Sequence, residues 1–180
     1  MQRAFSIIKP VIANVVCTGE LSQYIDFQKF WKYSWAIYDE AIYGGKCGYV
    51  KFPGMKGKVT IFSNGKLISV GANSINKSKN QLFQTKYLLK ESKLISDVEL
   101  KPKIVNIVAT LNLGRNLNLS RITKKLPGSK FNPNEFPGII WKNTEMPSCL
   151  IFRNGKILLV GSKLLKKLAE ISLIIQKILN

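Results

Sequence analysis

IFSNGKLISVGAN at residues 61–73 and IFRNGKILLVGSK at residues 151–163 are two copies of one pattern, set about 90 residues apart. Each reads as a β-hairpin, because Asn-Gly is the strongest short turn signal and alternating apolar residues flank it. Working outward, a second pair recurs in the same order at nearly the same offset: IANVVCT at 12–18 and IVNIVAT at 104–110. These read as Ile/Val-rich strands with an Asn set into an otherwise apolar run. Between the anchors, YIDFQKF at 24–30 runs parallel to NLNLSRI at 116–122. Two separate motifs repeated in register indicate an internal duplication. Two copies suit a pseudo-twofold pair better than a solenoid, which generally needs three or more.

The local patterns give both copies one plan. A strand comes first, then a short helix from Asp26 to about Tyr33, or from Asn118 to about Lys125, each opened by an N-cap residue. Turn-rich segments at 44–57 and 136–148 follow, then the hairpin, then a longer helix. In the second copy Leu164, Leu168, Ile171, Ile174/Ile175 and Ile178 recur at helical spacing and define its apolar face. The first equivalent, about Ser74 to Ser92, is more polar and less regular. With residues 96–103 as connector, the expected organisation is a tail at 1–10 and repeats at 11–98 and 99–180.

Composition narrows the function. Lys and Arg number 28 against 10 Asp and Glu, a net charge of +18 that suits a polyanionic partner. An AT-rich genome also enriches Lys, so charge alone decides little. There is no His, hence no imidazole base or His metal ligand. Cys17, Cys47 and Cys149 are odd in number and far apart, which indicates neither a zinc site nor a disulfide framework. No uninterrupted apolar run reaches the ~18 residues of a membrane span, and the N-terminus lacks a signal-peptide cleavage pattern. Without paired carboxylates or a Lys/Asp dyad in a supporting motif, the chain reads as a binding protein rather than an enzyme, with no metal or cofactor.

The duplicated motifs, with FNPNEFPGIIW at 131–141 in the second copy, resemble the core domain of TATA-binding proteins over about residues 11–180. The resemblance implies an α+β fold in which two repeats form one curved antiparallel β-sheet saddle with four helices on its convex face. It also implies a general transcription factor that binds TATA-box DNA in the minor groove, bends it and nucleates initiation-complex assembly. Asn14 and Asn106, equivalent in the repeats, are assigned to the two central base steps. Their amides bring donors to a groove where A·T pairs offer only acceptors. Side chains two positions apart on a strand share a face. Val16 and Val108 therefore join the two Asn residues, and Ile68, Val70, Leu158 and Val160 fall at corresponding positions of the hairpins. The family usually has Thr where Val70 and Val160 stand, so two hydroxyls are lost.

The family kinks DNA with one aromatic pair per repeat. Phe136 and Phe152 match the second pair. Phe62 matches one member of the first, and its partner is read as Tyr43, five residues after Tyr38 as Phe136 is five after Phe131, with Phe52, in its own FPG string, as the competing choice. Lys66, Lys156, Arg153, Lys142, Lys51 and Lys58 are candidate phosphate contacts near the turns and loop ends. The loop that meets transcription factor IIB in the family here carries Asn132, Asn134 and Glu135, with Asn at two usually acidic positions. Transcription factor IIA and the polymerase machinery are further implied partners. The alternative is a divergent paralogue gripping DNA or RNA with less sequence preference. A basic core without an acidic tail leans toward the nucleus, with the archaeal cytoplasm or nucleoid as the other location.

Overall fold

The computed structural model describes residues 7–142 and 144–179. Strand β1 (Val11–Glu20) leads into a 3-10 helix (Phe27–Lys32), β2 (Ala36–Ile37), α1 (Glu40–Tyr43), β3 (Cys47–Val50), β4 (Lys58–Phe62), β5 (Lys66–Ala72) and α2 (Ile75–Glu91). The plan then recurs as β6 (Lys103–Asn112), α3 (Leu119–Thr123), β7 (Gly138–Trp141), β8 (Ser148–Phe152), β9 (Lys156–Ser162) and α4 (Leu165–Leu179). The fold is α+β. The chain forms two compact units, Asn14–Val105 and the residues up to Ala13 together with those from Asn106 on. The start of β1 thus groups with the second repeat and the start of β6 with the first. Strands run in the order β2-β3-β4-β5-β1 in the first unit and β6-β9-β8-β7 in the second. Their pairings are antiparallel.

Each unit seals one sheet face. In the first, Cys17, Val59, Ile61 and Leu67 pack with Leu82 and Leu89 of α2 and with Phe27 and Phe30 of the 3-10 helix. Fully burying a side chain of this size stabilises by roughly 1.5–3 kcal/mol. Asp26 starts the 3-10 helix as expected, its carboxylate accepting from the Gln28 N–H. The irregular pattern of α2 has a physical cause, because small polar residues face the core and are satisfied there. Ser69 Oγ donates to Gln81 Oε1 at 2.6 Å, and Gln81 Nε2 donates to the Lys56 carbonyl at 2.6 Å.

The second unit corrects the face read for its long helix. Leu168, Ile171, Ile175 and Leu179 are buried, but so are Ser172 and Gln176, while Leu164 and Ile174 are exposed. Gln176 turns inward because its amide holds a backbone segment. The Ile8 N–H donates to Gln176 Oε1 at 2.8 Å, and Gln176 Nε2 donates to the Ile8 carbonyl at 2.9 Å.

The same irregularity marks both sheets. Val15 pairs with Ala72 and Cys17 with Ser69, so Val16 faces two residues, Val70 and Gly71. Likewise Ile107 pairs with Ser162 and Ala109 with Leu159, leaving Val108 opposite Val160 and Gly161. The extra residue of each bulge is a glycine at positive φ, +95° at Gly71 and +89° at Gly161, where a side chain is strained. The surroundings differ. A Cβ on Gly71 would stand 2.5 Å from Gly57 Cα, whereas nothing lies within 4 Å of one on Gly161. Gly71→Ala is therefore expected to cost about 2 kcal/mol or more of unfolding free energy and Gly161→Ala about 1 kcal/mol, read from urea midpoints. Equal losses would mean that backbone strain alone sets both.

Candidate nucleic-acid interface

Alternation leaves the opposite face of each sheet open. In the first unit Asn14, Val16 and Thr18 of β1 are half-buried, as are Ile68 and Val70 of β5, Thr60 and Phe62 of β4, and Cys47 and Tyr49 of β3. In the second, Asn106, Val108 and Thr110 of β6, Leu158 and Val160 of β9, Leu150 and Phe152 of β8, and Ile140 of β7 are half-buried in the same way. All eight residues expected to meet bases therefore lie on these faces. No carboxylate interrupts β1 from Ile12 to Thr18. A run of half-exposed apolar side chains on a sheet marks a surface made for contact. Thr18, Cys47, Tyr49, Thr60, Thr110, Ile140 and Leu150 belong to the same faces and were not singled out from sequence. Stepping by two from Phe62 and Phe152 would have found Thr60 and Leu150.

The bulge orients one of the two asparagines. Its extra residue frees the Gly71 N–H from the ladder, and Asn14 Oδ1 accepts it at 2.7 Å. Only the amide oxygen can accept, so both Nδ2 hydrogens of Asn14 remain for a ligand. Asn106 stands at the equivalent register, but its Oδ1 is buried without a hydrogen-bond partner among the described residues. A buried amide oxygen left unmatched costs roughly 1–3 kcal/mol.

The aromatics divide unequally. The rings of Phe136 and Phe152 lie together, centroids 5.6 Å apart and tilted by 58°. Phe136 is held by its N–H, which donates to the Asn132 carbonyl at 2.9 Å. Gly138, paired with Phe152, leaves room for both rings, since a Cβ there would stand 3.0 Å from Phe136 and 3.2 Å from Phe152. In the first unit Phe62 pairs with Cys47 instead. Counting two residues back from Cys47, as Phe136 lies two before Gly138, reaches Gly45. Tyr43, on α1, sets its ring edge-on to Tyr49 at 5.2 Å, while Phe52 packs against the buried core.

The cations flank these faces. Lys51, Lys58, Lys66, Lys142, Arg153 and Lys156 are all exposed. Lys66 and Lys156 follow hairpin turns in which Asn64 and Asn154 accept their backbone N–H groups, both at 3.1 Å. Lys58 Nζ sits 3.5 Å from the Tyr49 ring centroid. Asn132, Asn134 and Glu135 are exposed on a turn in which Asn132 Oδ1 accepts the Asn134 N–H at 3.2 Å. That turn adjoins a cleft of about 850 Å³ lined by Leu117, Ser120, Phe131, Pro133, Pro137 and Arg153.

A duplicated α+β module with an open apolar sheet face, amide donors and an aromatic pair defines a class of protein built to meet a broad, partly apolar partner. Within that class, the family model for "Transcription factor TFIID (or TATA-binding protein, TBP)" matches residues 9–91 and 101–180, and the chain belongs to this family. It is 42% identical over 155 residues to the TATA-box-binding protein of Cenarchaeum symbiosum, covering 86% of this chain and 85% of that one. Against the TATA-box-binding protein of Methanothermobacter thermautotrophicus it is 31% identical over 160 residues, 84% of each chain. Methanococcus jannaschii TBP superposes with a TM-score of 0.81 at 24% identity, over 95% of this chain and 98% of that structure, and shares the fold.

The thiols offer a direct check on which face is open. Burial pushes the Cys149 thiol up to about 12 and also raises that of Cys17, whereas Cys47 is half-exposed on the open face. A thiolate-selective reagent at pH 8 is expected to modify Cys47 alone in the folded protein, with Cys17 and Cys149 reacting only after denaturation, as read by mass spectrometry. Native labelling of Cys149 would contradict this assignment of faces.

Proposed function

We propose that the chain is a general transcription factor that binds TATA-box DNA through the minor groove, bends it and nucleates an initiation complex. The observation that carries this reading is the open face of a member of the TATA-binding protein family, where Asn14 keeps two amide donors beside apolar side chains. The minor groove of A·T pairs presents acceptors only, while guanine adds a donor amino group. Amide donors in an apolar setting therefore reward A·T pairs and leave a guanine amino group unmatched. Val16, Val70, Val108 and Val160 shed water against sugars and base edges.

Phe136 and Phe152 act as the wedge of the second repeat, their adjacent rings shaped to enter one base step. Kinking by such apolar wedges is a mode for which this family is itself a standard example. In the first repeat Phe62 is the wedge, with Tyr43 beside Tyr49 in the supporting position. Lys51, Lys58, Lys66, Lys142, Arg153 and Lys156 grip phosphates and set register without reading sequence. The turn carrying Asn132, Asn134 and Glu135, with its adjoining cleft, receives a factor of the transcription factor IIB type, and transcription factor IIA and the polymerase machinery are further partners. The named relatives are archaeal, which favours the archaeal cytoplasm or nucleoid over a nucleus as the place of action.

Competition among a TATA duplex, a G·C duplex and RNA at one salt concentration tests the reading. The TATA duplex is expected to win, and equal competition would favour the less selective paralogue that the loss of hydroxyls at Val70 and Val160 suggests. Bound TATA duplex is also expected to protect Cys47 from thiol reagents. Affinity is expected to fall by about 0.9 log unit per log unit of salt for each phosphate neutralised. Phe152→Ala should reduce both affinity and bending, measured by fluorescence transfer between the duplex ends. Unchanged bending would remove its wedge role.

A further inference from the structure

The strand registers allow the open faces of the two units to be compared position by position, and they are not chemically alike. Across the first unit, Tyr49 pairs with Thr60, Thr60 with Ile68, and Ile68 with Thr18. Across the second, the equivalent row is Ile140, Leu150, Leu158 and Thr110. Two residues along each strand, on the same face, Lys58 pairs with Val70 where Ser148 pairs with Val160. Two apolar side chains of the second repeat are thus hydroxyl-bearing in the first. A lysine that stacks on the Tyr49 ring stands where the second repeat has serine. The hydroxyls of Tyr49 and Thr60 have no hydrogen-bond partner among the described residues.

We propose that the two repeats read the duplex unequally: the first accepts a G·C pair because Tyr49 and Thr60 offer oxygen acceptors, and the second rejects one. This rests on the minor-groove reading above. A hydroxyl can donate to adenine N3 or thymine O2 and can equally accept from the guanine 2-amino group. Leu150 and Ile140 can do neither, so a guanine amino group beneath them is desolvated without a partner. Lys58 adds attraction for phosphate on the first side, which holds the duplex there when a base contact is weakened. One repeat is strict and the other permissive.

An alternating T-A duplex tests this without knowing which way the protein sits. A G·C pair is placed at a flanking position in one half, at the mirror positions in both halves, or replaced in both by I·C, which lacks the 2-amino group. For the full chain, one G·C pair is expected to cost about twofold, because the protein turns round and only one of two orientations is lost. G·C pairs in both halves are expected to cost on the order of tenfold more, because the second repeat must now accept one. I·C in both halves is expected to restore binding.

Tyr49→Ile with Thr60→Leu writes the second repeat's residues into the first and should make the single G·C duplex as costly as a strict half. The reciprocal Ile140→Tyr with Leu150→Thr should rescue the doubly substituted duplex, a gain that misfolding cannot produce. Equal stepwise losses for one and two G·C pairs in the unsubstituted protein, or no rescue by the reciprocal variant, would overturn the inference while leaving the TATA reading intact. No preference for the T-A duplex over a G·C duplex would overturn both.

Discussion

A single hydrogen bond, from the Gly71 N–H to Asn14 Oδ1, ties the backbone irregularity of the first unit to its chemistry. Without the extra residue in β5, that N–H would belong to the β1–β5 ladder and the Asn14 amide would be free to rotate. With it, the oxygen is committed and the donors have one direction left. The bulge is possible only because residue 71 is glycine, and it is tight only because residue 57 is glycine as well. The orientation of the Asn14 amide on the open face is thus set by two residues that carry no side chain. Preorganisation of this kind spares a ligand the entropic cost of ordering the amide on binding.

The second unit repeats the bulge at Gly161, yet the details diverge. Its aromatic pair is complete, its row from Ile140 to Leu158 is apolar, and its asparagine buries an oxygen that has no donor among the described residues. The first unit replaces the pair with Phe62 opposite Cys47 and moves its tyrosines to one side. Duplication has preserved backbone geometry more faithfully than surface chemistry. This is the pattern expected when packing constrains every strand but a partner touches the two halves differently.

Much of this was legible in the residues alone. The two hairpins and the strands carrying Asn14 and Asn106 announce themselves through Asn-Gly turns and period-two alternation. The resemblance assigns Asn14 and Asn106 to base contact, the other six follow from alternation and the repeat, and all eight fall on open faces. Other features were hidden for identifiable reasons. Strands β3 and β7 lie inside segments that read as turns, because Gly48 and Gly138 interrupt short apolar runs. The buried side of α4 was rotated in the sequence reading because hydropathy places Gln176 outside, whereas its amide is needed to satisfy Ile8. The partner of Phe62 could not be settled by spacing because Asn14 and Phe62 are 48 positions apart where Asn106 and Phe152 are 46 apart, so the alignment slides between them. Register puts Gly45 at the corresponding site.

The clasp between Gln176 and Ile8 spans a sequence separation of 168 residues. The unit that contains it is therefore assembled from segments that precede and follow the other, which is drawn from one uninterrupted stretch between Asn14 and Val105. During synthesis the uninterrupted unit can acquire most of its contacts while the ribosome is still translating. The clasped unit must wait for α4 to emerge before its earliest residues find their partners. Long-range closure of that sort raises contact order and slows folding. The Gln176 clasp on Ile8 can therefore close only after α4 has been translated.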